Sequence, residues 1–329
     1  MCPYVNFEDS DPDKGWEAFY DPPRYSSGYA ALFQTMAFVP ETHMLKPFAD
    51  RVYSTYALMQ SMMEQASTQA KEIIEKRKVS IEAAKKQESF ALSWSADTTA
   101  FEYIPFMGYE AATKMSEVTG FPKLYYDHSK PFSKNVKFFN RFIPQNIVQK
   151  PKAYIIPQGW YEVINRLKLN GVVMKRMLRD TSIQVQAYHI DSYKSLARPY
   201  EMHHKNYDIR LSSNLCTILF LKGDYIMFTG QSADRFMVET LEPMGDDSFF
   251  SWNFFDAVLQ QKEGYSDYRW EDVAAQYLQQ NPDLRKQLEA KRNSDTSFAK
   301  SPGEQLDFIY KNSPYYEPAH LRYPVYRLL

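Results

Sequence analysis

The sequence is short of the residues that most often announce a function. It has only two cysteines, Cys2 and Cys216, far apart in the chain. They form no zinc-finger spacing and no disulfide framework. There is no Walker loop, no Gly-x-Gly-x-x-Gly and no Gly-x-Ser-x-Gly elbow, so the usual signals for nucleotide binding and for serine-hydrolase chemistry are missing. Glycine is scarce, at 11 of 329 residues. An excess of one charge is missing too: 39 basic and 40 acidic residues leave a net charge of -1, without the basic stripe that a nucleic-acid partner requires. No apolar run approaches the roughly 20 residues of a membrane span. Met1-Cys2-Pro3-Tyr4 leads into an acidic stretch (Glu8, Asp9, Asp11, Asp13) rather than a basic and then apolar segment. A signal peptide is therefore not expected, and the chain reads as cytosolic or as starting inside a longer one.

What is present is aromatic. Phe, Trp and Tyr make up 16% of the chain, with 25 Tyr and 22 Phe. Such residues suit sheet faces and surfaces that contact sugars or peptides, although half-buried packing is their ordinary role. Hydrophobic residues at 44% and charged residues at 24% are ordinary for a globular chain, and this length suits two or three structural units.

Along the chain, Asp21-Pro22-Pro23 signals a turn, Ser26-Ser27 a short helix through Gln34, and Thr35 to Val39 a buried strand. Residues 47–86 carry the strongest helical period, through Val52, Tyr56, Met59, Met63, Ala66, Ala70 and Ile73. Its first half is expected to pack on a domain, with Met59, Met62 and Met63 in the core, and its charged second half to act as a connector. Residues 87–150 read as β-rich, with short aromatic strands at 90–94, 102–106, 123–126 and 138–142. Residues 152–190 suggest a strand–helix–strand unit, with Gly171 as the helix stop and strands at 172–174 and 183–190. Further strands are expected at 217–221 and 224–228. Helices are expected at 248–261, 270–278, after Asn281-Pro282, and after Ser301, whose spacing to Glu304 is that of a capping box. The Pro- and Tyr-rich residues 315–329 read as an extended surface tail. The fold class is thus mixed α/β (α+β): units at 1–60, a connecting helix at 61–86, a β-rich region at 87–150, and an α/β region with a helical C-terminus at 151–329.

Three clusters could carry chemistry. Glu41-Thr42-His43 follows the expected strand; a carboxylate at a strand end can be desolvated enough to act as a base, or can simply cap the helix beginning near Pro47. Arg24, on the loop before that strand, could receive a carboxylate bidentately, or lie free at the surface. Glu201 and His203 share a face if extended and could bind a metal with His189, or be plain surface. His43, His128, His189, His203, His204 and His320 are all the histidines, and none starts a His-x-x-Glu or His-Glu-x-x-His ligand pair.

Residues 22–33 (Pro22-Pro23-Arg24-Tyr25-Ser26-Ser27-Gly28-Tyr29 and on through Phe33) and residues 38–47 (Phe38-Val39-Pro40-Glu41-Thr42-His43 and on through Pro47) resemble the end of the catalytic domain in carboxypeptidase A-like zinc peptidases. Residues 151–157, Leu241-Glu242-Pro243, residues 251–256 and Ser266-Asp267-Tyr268 are similar to the long C-terminal extension of a bacterial branch of that family. The resemblance covers nearly the whole chain, but only about the first 60 residues correspond to the catalytic domain. It implies that Glu41 is the general base of a peptide hydrolase whose zinc acidifies a bound water. It further implies that Tyr20 or Tyr25 closes over substrate; Arg24 joins them as a substrate-binding candidate on its chemistry alone. The zinc ligands would belong to a missing N-terminal half, so no zinc is expected in this chain alone. The parent enzyme would take a peptide substrate and be exported, periplasmic or extracellular. The alternative is a non-catalytic accessory module that binds peptide, glycan or a partner protein.

Overall fold

A computed structural model describes residues 3–4, 11–261 and 263–329. Cys2, Glu8 and Asp9 lie outside the described residues, and Cys216 is a free thiol. In chain order the elements are β1 (Trp16–Glu17), α1 (Ser26–Ala31), α2 (Phe48–Thr68), α3 (Ala70–Lys86), β2 (Ser89–Ala96), β3 (Glu102–Met115), β4 (Pro122–Phe139) and β5 (Phe142–Gln149). There follow β6 (Ala153–Ile156), α4 (Tyr161–Leu169), β7 (Lys175–Arg176), β8 (Thr181–Ser195), β9 (Asn206–Phe220), β10 (Tyr225–Phe228) and α5 (Asp234–Leu241). Last come α6 (Asp267–Gln280), α7 (Pro282–Ser294), α8 (Thr296–Ala299), α9 (Pro302–Lys311) and β11 (Tyr326–Leu328). The architecture mixes helices and sheets. Two compact units emerge: Met1–Lys150 with Gly230–Asp247, and Pro151–Thr229 with Ser248–Leu329. Among the described residues, no helix is long and apolar enough to cross a membrane.

In the first unit β3 and β4 form a long antiparallel hairpin, with β1 added in parallel at Phe138 and Phe139. β2 pairs with β5, and the period of two along them buries Phe90, Leu92 and Val148. α5 is buried along most of its length, and it starts on a fully buried carboxylate. Asp234 accepts from Lys150 Nζ at 2.9 Å, Gly230 N at 2.8 Å and Gln231 N at 3.0 Å, so its charge is matched inside the core.

Two expectations fail in this unit. Thr35 to Val39 forms no strand; Met36, Phe38 and Val39 are exposed, and Thr35 N donates to Ala30 O at 3.1 Å, which closes α1. The predicted long helix is real but broken at Gln69, and its apolar stripe is not core: α2 buries no residue, and Met59 and Met63 are exposed. The period of 3.6 marks a face that wants cover, yet does not supply the cover.

The second unit is built on an antiparallel six-stranded sheet ordered β7-β10-β6-β11-β8-β9. α4 follows β6, and Gly171 ends it at φ +75°, the left-handed conformation expected there. Residues 172–174 are not a strand; β7 begins at Lys175. The supposed surface tail ends inside the sheet. β11 lies between β6 and β8, Tyr323, Val325 and Tyr326 are buried, and the Tyr326 ring meets Phe220 edge-on at 5.2 Å. Residues 248–261 are turns and one 3-10 turn (Asp256–Leu259) instead of a helix. Ser248 and Ser251 divert the backbone there, with Ser251 N donating to Ser248 Oγ and Ser251 Oγ to Ser248 O, both at 3.0 Å.

The C-terminal helices pack around Trp270, Ala274, Leu284, Leu288, Phe298 and Ile309. Their starts follow the expected signals. Pro282 occupies the first turn of α7 after Asn281, and Ser301 Oγ accepts from Glu304 N at 3.3 Å at the head of α9.

Candidate functional site

Residues 18–33 form a tight turn and a short helix at the edge of the first unit. Ala18 N donates to Phe139 O at 2.9 Å, continuing β1, and Tyr25 N donates to Pro22 O at 3.0 Å, closing the Pro-Pro turn. Gly28 lets α1 sit directly on that turn. A Cβ there would lie 2.3 Å from the carbonyl oxygens of Asp21 and Pro22, so only glycine fits. Ser27 Oγ donates to the Asp21 carboxylate across the same turn.

This geometry delivers Tyr20, Arg24 and Tyr25 to an ionised layer supplied by α5 and the loop after it. Arg24 N donates to Asp247 Oδ2 at 2.8 Å, and Arg24 Nε donates to the same oxygen at 3.1 Å. Asp247 is buried, so the pair is a partly desolvated clamp of backbone and side chain on one carboxylate. Arg235 extends the layer: its Nε donates to Glu239 Oε1 at 2.6 Å and its Nη1 to Ala31 O at 3.0 Å. Burial pushes the Glu239 carboxyl up, against the pull of Arg235. The Tyr20 hydroxyl is raised chiefly by burial and then by the negative charges of Asp246 and Glu239. Tyr25 packs edge-on against Phe19 at 5.4 Å. Chemically the layer is a set of mutually neutralising charges that fixes α1 against α5. The Arg24 guanidinium is engaged inside it through Nε.

Glu41 stands apart. It is exposed, on a segment without helix or strand, between exposed Phe38, Val39, Met44 and Leu45. Among the described residues no hydrogen bond, ion pair or ring contact ties its side chain to Tyr20, Arg24 or Tyr25, and it caps no helix: Pro47 occupies the cap position of α2. The nearest anchorage of this segment is upstream, where Arg77 of α3 donates from Nε to Thr35 Oγ1 at 3.1 Å and from Nη2 to Phe33 O at 3.4 Å.

The three candidate metal ligands of the second unit are not assembled. His189 faces Asp191, with Nδ1 and Oδ1 3.1 Å apart, on β8 opposite Ser212. Glu201 and Met202 instead form a two-residue turn between Tyr200 and His203, which exchange both backbone hydrogen bonds at 2.9 Å. No group of three His, Cys, Asp or Glu side chains among the described residues could hold a metal ion.

That turn exposes something the residue spacing did not single out. Glu201, Met202 and Asn253 all have left-handed backbones, at φ +47°, +68° and +67°, an uncommon conformation for residues with side chains. Between them lies an aromatic cluster: His203 meets Trp252 edge-on at 5.3 Å and stacks toward Phe254 at 6.3 Å, and Tyr200 lies 6.1 Å from Trp252. Asn253 Nδ2 binds His204 O and Asp256 Oδ2, each at 3.0 Å, and so locks the two loops together. The Ser251-Trp252-Asn253-Phe254 run was the available signal; its meeting with Tyr200 and His203 is non-local.

No protein-family model, curated protein or solved structure matches the chain.

Proposed function

We propose that this chain forms the C-terminal part of a carboxypeptidase A-like zinc peptidase and that Glu41 is its general base. The likeness of residues 22–33 and 38–47 to that family supports the reading. The observation that carries it is the setting of Glu41, an unengaged carboxylate in the middle of an exposed apolar segment. Side chains such as Phe38, Val39, Met44 and Leu45 gain about 1.5–3 kcal/mol each on full burial. The segment therefore has a strong drive toward cover. Cover would exclude bulk water from Glu41 and leave its carboxylate facing the substrate, where a general base works.

The described residues do not fit a zinc site. In this proposal the metal belongs to the catalytic half that this chain does not supply. Glu41 takes the proton of the attacking water and passes it to the leaving amine of a peptide. Tyr20, Arg24 and Tyr25 act as the buttress that holds the turn and α1 ahead of Glu41. The test is hydrolysis of a peptide's C-terminal bond by the zinc-loaded enzyme containing this chain, with Glu41 intact and with Glu41→Gln.

A second reading, an accessory module that binds glycan, has an observation of its own. The Tyr200, His203, Trp252 and Phe254 cluster is held by a turn with strained backbone, with Lys205 Nζ over the Trp252 ring at 4.7 Å and Arg166 over Phe254 at 4.5 Å, a mixed aromatic and polar surface of the kind that can meet a glycan. On this reading an insoluble cell-wall glycan depletes the purified chain from solution and Trp252→Ala lowers that depletion at least several-fold. Equal depletion of both proteins, or of neither, rules it out.

A further inference from the structure

The six-stranded sheet ends at β9; its first residues carry charges (Asp208, Arg210) and register shifts, but from Leu211 to Leu219 the edge lacks such protection. Ile190 N donates to Leu321 O at 2.8 Å, and Tyr323 N donates to Tyr188 O at 2.9 Å. The even-numbered residues of this part of β8 thus spend their backbone groups away from β9. The odd-numbered ones bond to β9, through pairs such as Val185 with Cys216 and Ile183 with Ile218. It follows that the N–H and C=O groups of Leu211, Ser213, Leu215, Thr217 and Leu219 point out of the sheet. Among the described residues no further strand pairs with them. From Leu211 to Leu221 the chain has no charge, proline or glycine, the features that ordinarily blunt an edge.

The same strand is self-complementary about Thr217. Leu215 and Leu219 lie two residues to either side of it, on the outer face, and are 62% and 59% exposed. Cys216 and Ile218 lie one residue to either side, on the face that packs on Phe220 and Val185. A second copy running antiparallel, with Thr217 opposite Thr217, places Leu215 opposite Leu219 twice and Cys216 opposite Ile218 twice. Thr217 is an outward-bonding position, so the central pair exchanges two hydrogen bonds. No charge sits near the two-fold axis.

We propose that β9 is the interface of a symmetric dimer, in which two copies of this chain pair edge to edge about Thr217 and extend one sheet across both. The arrangement is isologous, so it closes at two and leaves no further copy of this edge exposed. It is independent of whether the chain belongs to a peptidase.

The experiment is sedimentation velocity of the full chain at micromolar concentrations, beside Thr217→Lys and Thr217→Pro. Lysine sets like charges against each other at the axis. Proline removes an N–H that bonds to nothing in β8 and is tolerated on edges. The wild-type chain is expected to sediment as a dimer. Each variant is expected to weaken dimerisation roughly tenfold or more, with an unchanged circular dichroism spectrum. If the proline variant does not fold, the lysine variant decides. A monomeric wild type, a dimer that persists in Thr217→Lys, or open-ended assemblies in place of a dimer would overturn the proposal.

Discussion

Two glutamates show how differently one side chain is used in this chain. Glu41 is exposed and unengaged, whereas Glu239 is buried against Arg235 at 2.6 Å. Burial raises the Glu239 carboxyl above its ordinary 4.5, even against that partner. The folded state therefore keeps this proton to higher pH than the unfolded chain does. The stabilising contribution is fullest below the ordinary value and is lost as pH rises through the raised one. Glu239→Gln keeps the shape and removes the titration, so it is expected to gain stability relative to wild type as pH rises from 4.5 toward neutrality. Urea midpoints at the two ends of that range measure it; a difference that stays constant with pH contradicts the assignment. The sequence shows Arg24 as able to receive a carboxylate bidentately. Its partner is not legible there, because Asp247 lies 223 residues away.

At the scale of elements, what the sequence revealed depended on how local the deciding interaction is. The starts of α7 and α9 were readable because a cap is settled within four residues, by Asn281-Pro282 and by Ser301 with Glu304. β11 was not, because three residues carry no period and its place is fixed by distant partners, Ile155 and Gln186. Periodicity predicts a core position for Met59 and Met63, which are exposed, because periodicity names a face without naming what covers it. The 248–261 run matched a helix in its aromatic spacing, and side-chain to backbone bonds at Ser248 and Ser251 decided against it. The consequence for β11 is measurable. Tyr326 sits in the middle of the sheet with Phe220, Val185 and Ile155. Tyr326→Ala is expected to cost about 3–5 kcal/mol, as for other large buried rings. Urea unfolding monitored in the second unit gives the number, and a loss below about 1 kcal/mol would mean that the strand is not part of the core.

For the molecule as a whole, the mixed class of helices and sheets was legible from composition and period, and its division into two units depends on α5. That helix returns to the first unit after the chain has built most of the second unit's sheet, a crossing that no linker signal marks. The functional account rests on a mismatch of the same scale. The first unit buries its acidic residues on α5 with care, yet leaves Glu41 and the apolar residues around it in water. In the proposed function that segment is one face of a larger enzyme. The most direct measurement is kcat for removal of a peptide's C-terminal residue by the zinc-loaded enzyme that contains this chain, with Glu41 and with Glu41→Gln. The account predicts a loss of about 10²–10⁴-fold, with zinc content and KM nearly unchanged, because a general base acts in the transition state. Equal turnover by the two proteins would contradict it.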